Sequence, residues 1–417
     1  MVKKLNWQVQ HECSQCGAPV ILEETDRLFS CRYCRVRLYH AARDYFRYHL
    51  PPADGPARDI IYAPYWRFRG LYFSCEPFEV RHKVIDTSLL AADCKGLPVS
   101  LGFRPQVLKL RFLSPETSGR FLKTRLPAQQ FLSALGVHAQ EENSSAAGSS
   151  HFHEAFVGET VSAIYAPLYV QGDDLCDAIL NRALGKMPKP AGPAAEPLEP
   201  SPNWQAKFIP ALCPHCGWDL EGERDSLVLF CRQCDAAWQS SAGGLERLSF
   251  AVIPDGRTTS LYLPFWRMTA EVSGLQLRSY ADLARLANLP TVIQPAWEAL
   301  DWYLWSPAFK VRPELFLQLA KLVTLSRGLE PVEGRLPALS LYPVTLPVQE
   351  AGQAIKATLA YLAAAKRKIF PLLPAINVQL EEFLLVYMPF DLQGGDWVQP
   401  QIHLSINRTA LDLGRRL

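Results

Sequence analysis

Eight cysteines fall into four Cys-x-x-Cys pairs: Cys13/Cys16, Cys31/Cys34, Cys213/Cys216 and Cys231/Cys234. Within each half of the chain, 14 residues separate the two pairs. A short hairpin with a thiolate pair at each end brings four sulfurs to the corners of a tetrahedron. That is the geometry of a closed structural zinc site, with no position left for a substrate. The expected cofactor is therefore Zn2+, two ions per chain. Iron uses the same four thiolates, and spacing leaves it open. Disulfides are the weaker reading, because nothing in the sequence directs the chain to an oxidising compartment. A redox pair would stand alone ahead of a helix, whereas these come two by two. Gly17 and Gly217 follow the first pair of each half, where a positive φ turns amides toward sulfur; Arg35 and Asp235 hold that place after the second pair.

Both four-cysteine segments resemble the zinc-ribbon superfamily. The resemblance covers only the cysteine hairpins and implies a fold and a metal. It implies no single activity, because zinc ribbons serve polymerases, translation factors and protein adaptors alike. The other cysteines, Cys75, Cys94 and Cys176, read as small buried hydrophobes.

The ligands recur at an offset of 200 residues, and so does Tyr62-Ala-Pro64-Tyr65-Trp66-Arg67, as Tyr262-Leu-Pro264-Phe265-Trp266-Arg267. Further matches are Leu97-Pro98 with Leu289-Pro290 and Ser114-Pro115 with Ser306-Pro307. Near the ends of the copies, Ile164-Tyr165-Ala166-Pro167 answers Val386-Tyr387-Met388-Pro389, and Asn181-Arg182 answers Asn407-Arg408. Landmarks in one order indicate a tandem duplication. The expected fold class is α+β, each copy an N-terminal four-cysteine zinc ribbon followed by a mostly antiparallel β-rich domain with a few helices. The expected boundaries are ribbon 7–50, domain 51–186, proline-rich linker 187–204, ribbon 205–250 and domain 251–417. Each ribbon is expected to act as a recognition module mounted on its sheet. Residues 139–150 read as a flexible insertion.

After each ribbon comes an aromatic, β-branched run. In Ile60–Phe73 alternation puts Trp66, Phe68 and Tyr72 on one face and Arg67 and Arg69 on the other, so the strand reads as half-buried with Arg outward. Pro64 and Pro264 suggest an edge or a bulge. Helices are expected at 127–135, at 313–323 with Leu315, Phe316, Leu319, Leu322 and Val323 inward, and as one amphipathic span over 348–368.

Catalytic constellations are hard to find. The sequence holds no phosphate-cradling glycine loop, dinucleotide fingerprint, His-Glu-x-x-His or Gly-x-Ser-x-Gly. His151-Phe152-His153-Glu154 is better read as a solvated loop edge than as a second metal site, and Asp173-Asp174 as a turn. The copies share Cys, Pro, Tyr, Trp, Arg and Gly, and neither an acid–base pair nor a nucleophile. The chain is therefore expected not to be an enzyme.

Net charge is +2 over 417 residues, so no global field draws the protein to nucleic acid or acidic lipid. One local asymmetry stands out. Arg27, Arg32, Arg35, Arg37, Arg43 and Arg47 face the single acid Asp44, with Phe29, Tyr33, Tyr39, Tyr45, Phe46 and Tyr48 interleaved. Arginine beside aromatic platforms suits single-stranded nucleic acid, and equally an acidic protein segment. The second ribbon's window is neutral, which favours a protein partner over an ancestral nucleic-acid ligand. The function expected is a scaffold or assembly adaptor contacting its partner through Arg32, Tyr33, Arg35, Arg37, Arg67 and Arg267, with an intradomain salt bridge or stacking on a neighbouring aromatic as the competing reading of Arg67 and Arg267. Nucleic-acid binding is the alternative, and a rubredoxin-like redox protein comes third. No apolar run approaches the roughly 18 residues of a membrane helix. Lys3 and Lys4 precede no apolar segment before Cys13, so a cytoplasmic location is expected.

Overall fold

A computed structural model describes residues 7–41, 45–54, 59–94, 96–102, 104–128, 131, 151–186, 198–241, 244–254, 261–338, 340–415 and 417. The expected insertion at 139–150, most of the linker and most of the 127–135 helix lie outside the described residues.

The first ribbon contributes β1 (Gln8–Glu12), β2 (Pro19–Glu23), β3 (Leu28–Ser30) and β4 (Arg37–Ala41). The rest of that half supplies β5 (Phe46–His49), β6 (Ile61–Cys75), β7 (Val80–Leu90), β8 (Leu110–Phe112), β9 (Arg120–Phe121), β10 (His153–Gln171), β11 (Asp174–Asp177) and β12 (Arg182–Lys186). The second half begins with β13 (Lys207–Pro210), β14 (Val228–Cys231), β15 (Ala236–Ser241), β16 (Gly244–Leu248) and β17 (Phe250–Val252). It continues through β18 (Leu261–Ser273), β19 (Leu304–Pro307), β20 (Val332–Glu333), β21 (Asn377–Gln393), β22 (Asp396–Gln399) and β23 (Leu404–Asn407). The fold is α+β, with strands predominating.

The aromatic run is the central strand of each half, because β6 lies between β10 on one side and β7 with β9 on the other. Burial along the whole of β6 corrects the expected half-buried strand. Pro64 is neither at an edge nor in a bulge. It sits where β7 ends, one residue short of the Tyr65–Leu90 pair, and β9 takes over at Tyr62. A residue without an N–H costs nothing in such a gap. Pro264 occupies the same gap, between β19 at Phe265 and the Leu341 bridge at Tyr262.

The two halves repeat these details. Trp66 Nε1 donates to the Leu126 carbonyl at 2.7 Å and Trp266 Nε1 to that of Leu346 at 2.9 Å. The amides of Ala91 and Ala308 donate to Pro64 and Pro264, and Tyr165 and Tyr387 lie opposite those prolines. A parallel strand joins each long return strand, β5 against β10 and β17 against β21. Such recurrence is consistent with duplication.

Three expected matches do not superpose. Ser306-Pro307 lies opposite Trp266 and Phe265, the place held by Leu89-Leu90 in the first copy. Leu289-Pro290 precedes that strand, whereas Leu97-Pro98 follows it. In the terminal hairpins Arg182 opposes Asp177 while Leu404 opposes Gln399, so Asn181 (φ 51°) matches His403 (φ 53°) and not Asn407. Chance dipeptides had imitated the repeat.

The helix at Pro313–Leu325 buries Phe316, Leu319 and Val323 as expected, but Leu322 is 49% exposed. The expected span 348–368 is three short helices, Val348–Gln353, Ile355–Leu362 and Lys366–Ile369. Ala363 breaks it in an extended conformation (φ −65°, ψ 126°), which docks the pieces separately. One of them reaches the first copy. Glu350 accepts from the Gly158 amide at 2.8 Å, beside a bulge in β10. Gly70 and Gly158 cross there so closely that a Cβ on either would lie 2.5 Å from a backbone oxygen. Phe73 packs against Phe316 (5.8 Å), and Leu71, Cys75 and Val157 join the second half's core.

The ribbons are not separate modules either. Lys207–Pro210 lies at the start of the second copy, yet it pairs antiparallel with β4 of the first ribbon. In the second ribbon the corresponding third strand is its own β16. The Phe208 ring stacks between His11 (4.5 Å) and His40 (4.7 Å). Leu28, Tyr39 and Ala41 share a buried cluster with Ala211, Leu220, Leu229 and Trp238.

Candidate metal centres and the surface around them

Each Cys-x-x-Cys pair sits in a tight turn whose backbone is set for it. Gly17 (φ 71°) and Gly217 (φ 73°) take the positive φ expected of them. Arg35 (φ 61°) and Asp235 (φ 47°) adopt it without glycine. The Gly17, Arg35 and Gly217 amides close these turns on Cys13, Cys31 and Cys213 at 2.8–2.9 Å.

All four sulfurs of each half lie within 4.8 Å of one another. In the first cluster Cys13–Cys34 and Cys16–Cys31 are 3.8 and 3.7 Å apart; in the second Cys213–Cys234 and Cys216–Cys231 are 3.6 and 3.4 Å. A tetrahedron with zinc–sulfur bonds of ~2.3 Å has edges of ~3.8 Å, so the spacing fits. It is far from the ~2.05 Å of a disulfide, and all eight cysteines are free. The two clusters therefore fit zinc-ribbon-like sites. They are the only groups of this kind among the described residues.

Backbone amides prepare one thiol of each cluster to ionise. Those of Cys34 and Tyr33 bring Cys31 down to about 6. Burial opposes ionisation at Cys213, but the amides of Cys216 and His215 outweigh it and bring that thiol down to about 7. Cys34 and Cys234 move upward: burial and the neighbouring sulfurs outweigh the Val36 amide at Cys34, and the sulfur of Cys231 acts foremost at Cys234. Four crowded thiols cannot all ionise unless a cation compensates them.

The expected contact residues divide. Arg32, Tyr33 and Arg35 are exposed on the second turn of the first ribbon, Tyr33 by 69%, and Arg37 is half-buried beside them. Arg67 does not reach the surface. It is fully buried, ion-paired with Glu24 (3.3 Å) and Asp86, and its guanidinium lies 3.7 Å over the Trp7 ring. Arg69 joins the same Glu24 at 2.7 Å. The strand's second face meets the ribbon instead of water, which sequence alternation could not reveal. Arg267 stays half-exposed over Tyr303 (4.6 Å).

The aromatics of the basic window are mostly core. Phe29, Tyr39, Phe46 and Tyr48 are buried, Tyr45 packs on Trp66, and Tyr33 alone of the six is fully exposed. Arg27 is buried over Phe46 and Arg47 lies over Tyr45, while Arg43 and Asp44 lie outside the described residues.

His151, His153 and Glu154 are half-buried between the copies rather than on a solvated edge, with His153 lowered to about 4 by burial and Lys356. Cys75 and Cys176 are buried and Cys94 half-buried. No helix of the described residues is long and apolar enough to cross a membrane.

Sequence reasoning missed a cleft of about 550 Å³ between the ribbons, lined by Ile21, Arg32, Tyr33 and Arg37 from one side and Gly222 and Arg224 from the other. The second side is far away in sequence, so no local signal announced it. Comparison with protein-family models, with curated proteins and with solved structures finds no match to this chain.

Proposed function

We propose that the protein is a non-enzymatic scaffold, held together by two structural zinc ions, that binds a protein partner through the face formed by its paired ribbons. Zinc with four thiolates supplies folding free energy and no open coordination position. The observation that carries the reading is the first ribbon's surface: Arg32, Tyr33 and Arg35 are exposed together while the other aromatics of that window are turned inward. Arginine and tyrosine are favoured at protein interfaces. Single-stranded nucleic acid needs several stacking platforms, and burial leaves it few here. The absence of an acid–base pair or nucleophile common to both copies supports a non-catalytic role.

The test is affinity capture by the wild-type chain and by Arg32→Glu/Arg35→Glu, with captured proteins identified and the 260/280 nm ratio recorded. Specific proteins lost with the double variant, at a ratio free of nucleic acid, support the scaffold. Co-purifying nucleic acid, with affinity falling steeply against salt, would replace it with the nucleic-acid reading.

A further inference from the structure

The cleft between the ribbons is bordered by two strand edges. Among the described residues β2 pairs only with β1, and β3 only with β4, and residues of both line the cleft. The Glu24 amide donates to the Trp7 carbonyl and the Cys13 amide to that of Ala18, so the even-numbered residues of this stretch face β1. Ile21 therefore turns its N–H and C=O away from β1, and its side chain is 50% exposed. Pro19 occupies the same outward phase, where a missing N–H is harmless. Arg224 seals one end: its carbonyl accepts from the Arg27 and Leu28 amides, and its guanidinium pairs with Asp26.

Proteins usually blunt an exposed edge with charge, proline, a bulge or a covering segment. On β2, Pro19 blunts one end and Asp26 takes the Glu23 amide, which leaves the outward N–H and C=O of Ile21 open. The charge lies across the cleft instead, on Arg32 and Arg37, with no acidic residue among the lining side chains; Arg224 is already paired with Asp26. A backbone edge open at Ile21 beside these two guanidiniums calls for an extended chain carrying carboxylates.

We infer that the cleft takes an extended acidic segment of a protein partner as an added strand on β2. The inference rests on the protein-binding reading above and specifies its site. Main-chain bonds to Ile21 and the Pro19 carbonyl align the segment; alternate carboxylates meet the arginines, and apolar side chains cover Ile21 and Tyr33.

The probe is a short fluorescein-labelled peptide of alternating Val and Glu, titrated by anisotropy against the full zinc-loaded chain. The controls are its Val–Lys counterpart and a Val–Glu peptide N-methylated at alternate residues. Saturable binding of the Val–Glu peptide is expected, with none by either control. About tenfold loss is expected in Arg32→Glu/Arg37→Glu, a difference of about 1.4 kcal/mol. Ile21→Pro, which removes the outward amide, is expected to abolish binding, whereas Ile21→Ala retains it. Zinc content certifies that each variant is folded, and the N-methylated peptide tests backbone pairing on the wild-type protein alone. Equal binding of the N-methylated or Val–Lys peptide, absence of Val–Glu binding, or displacement of the peptide by oligouridine would overturn the inference. Partner capture unaffected by Ile21→Pro would overturn the added strand and leave the scaffold standing; capture of no partner would remove the scaffold itself.

Discussion

Glu24 sits between two guanidiniums, Arg67 at 3.3 Å and Arg69 at 2.7 Å, with all three side chains at most 2% exposed. Two buried cations share this carboxylate, and Arg67 has the more exposed Asp86 as a further partner. Removal of Glu24 leaves the buried guanidiniums undercompensated, a loss on the order of 3–5 kcal/mol. Glu24→Gln should therefore lower the unfolding free energy by that amount, read from urea denaturation. Asp86→Asn should cost much less, because its carboxylate is 40% exposed. Equal effects would show that Glu24 is not the pivot. The thiols carry a second expectation. Cys31 is lowered from 9.0 to about 6, so the stability gained from its ionisation is complete above pH 9.0 and is lost as pH falls through about 6. Metal binding requires thiolates, so protons compete with zinc, and acidification should release both ions, followed with a chromophoric chelator. Release that did not depend on pH would contradict the thiolate account.

At the scale of elements, the first ribbon's sheet β13–β4–β3 includes a strand from the second copy. Phe208 anchors it between His11 and His40 and edge-on to Phe29 at 5.4 Å. Phe208→Ala should therefore expose the β4 amides of Tyr39 and Ala41, which face β13, to hydrogen exchange and speed zinc transfer from the Cys13 cluster to a chelator. An effect confined to the Cys213 cluster would show that the strand exchange is not structural. The ligand set and the aromatic central strands were legible in the sequence, because spacing and alternation are local signals. The pairing of Lys207–Pro210 was not: the sequence Lys-Phe-Ile-Pro says strand, but its neighbour is chosen by aromatic contacts some 170 to 200 residues away. The outward placement of Arg67 failed for the same reason, since Glu24 lies 43 residues earlier, while the intradomain ion pair weighed for it is present. The helical period over 348–368 concealed the break at Ala363, which packing imposes.

Over the whole molecule, the halves are interlocked at both ends of the first copy. β13 completes its ribbon, and Glu350 with Phe316 closes over the far end of its sheet. Cys213→Ser/Cys216→Ser should accordingly disturb more than one ribbon, loosening β4 as well as the second cluster. Hydrogen exchange restricted to residues 211–241 would argue for independent modules. The scaffold reading depends on what the eight thiols hold. Metal analysis combined with X-ray absorption on the purified chain tests this most directly. The account expects two zinc ions per chain, each with four sulfurs at ~2.3 Å, and no visible absorption band. Iron with charge-transfer bands, nitrogen or oxygen among the metal's ligands, or a single ion per chain would contradict it.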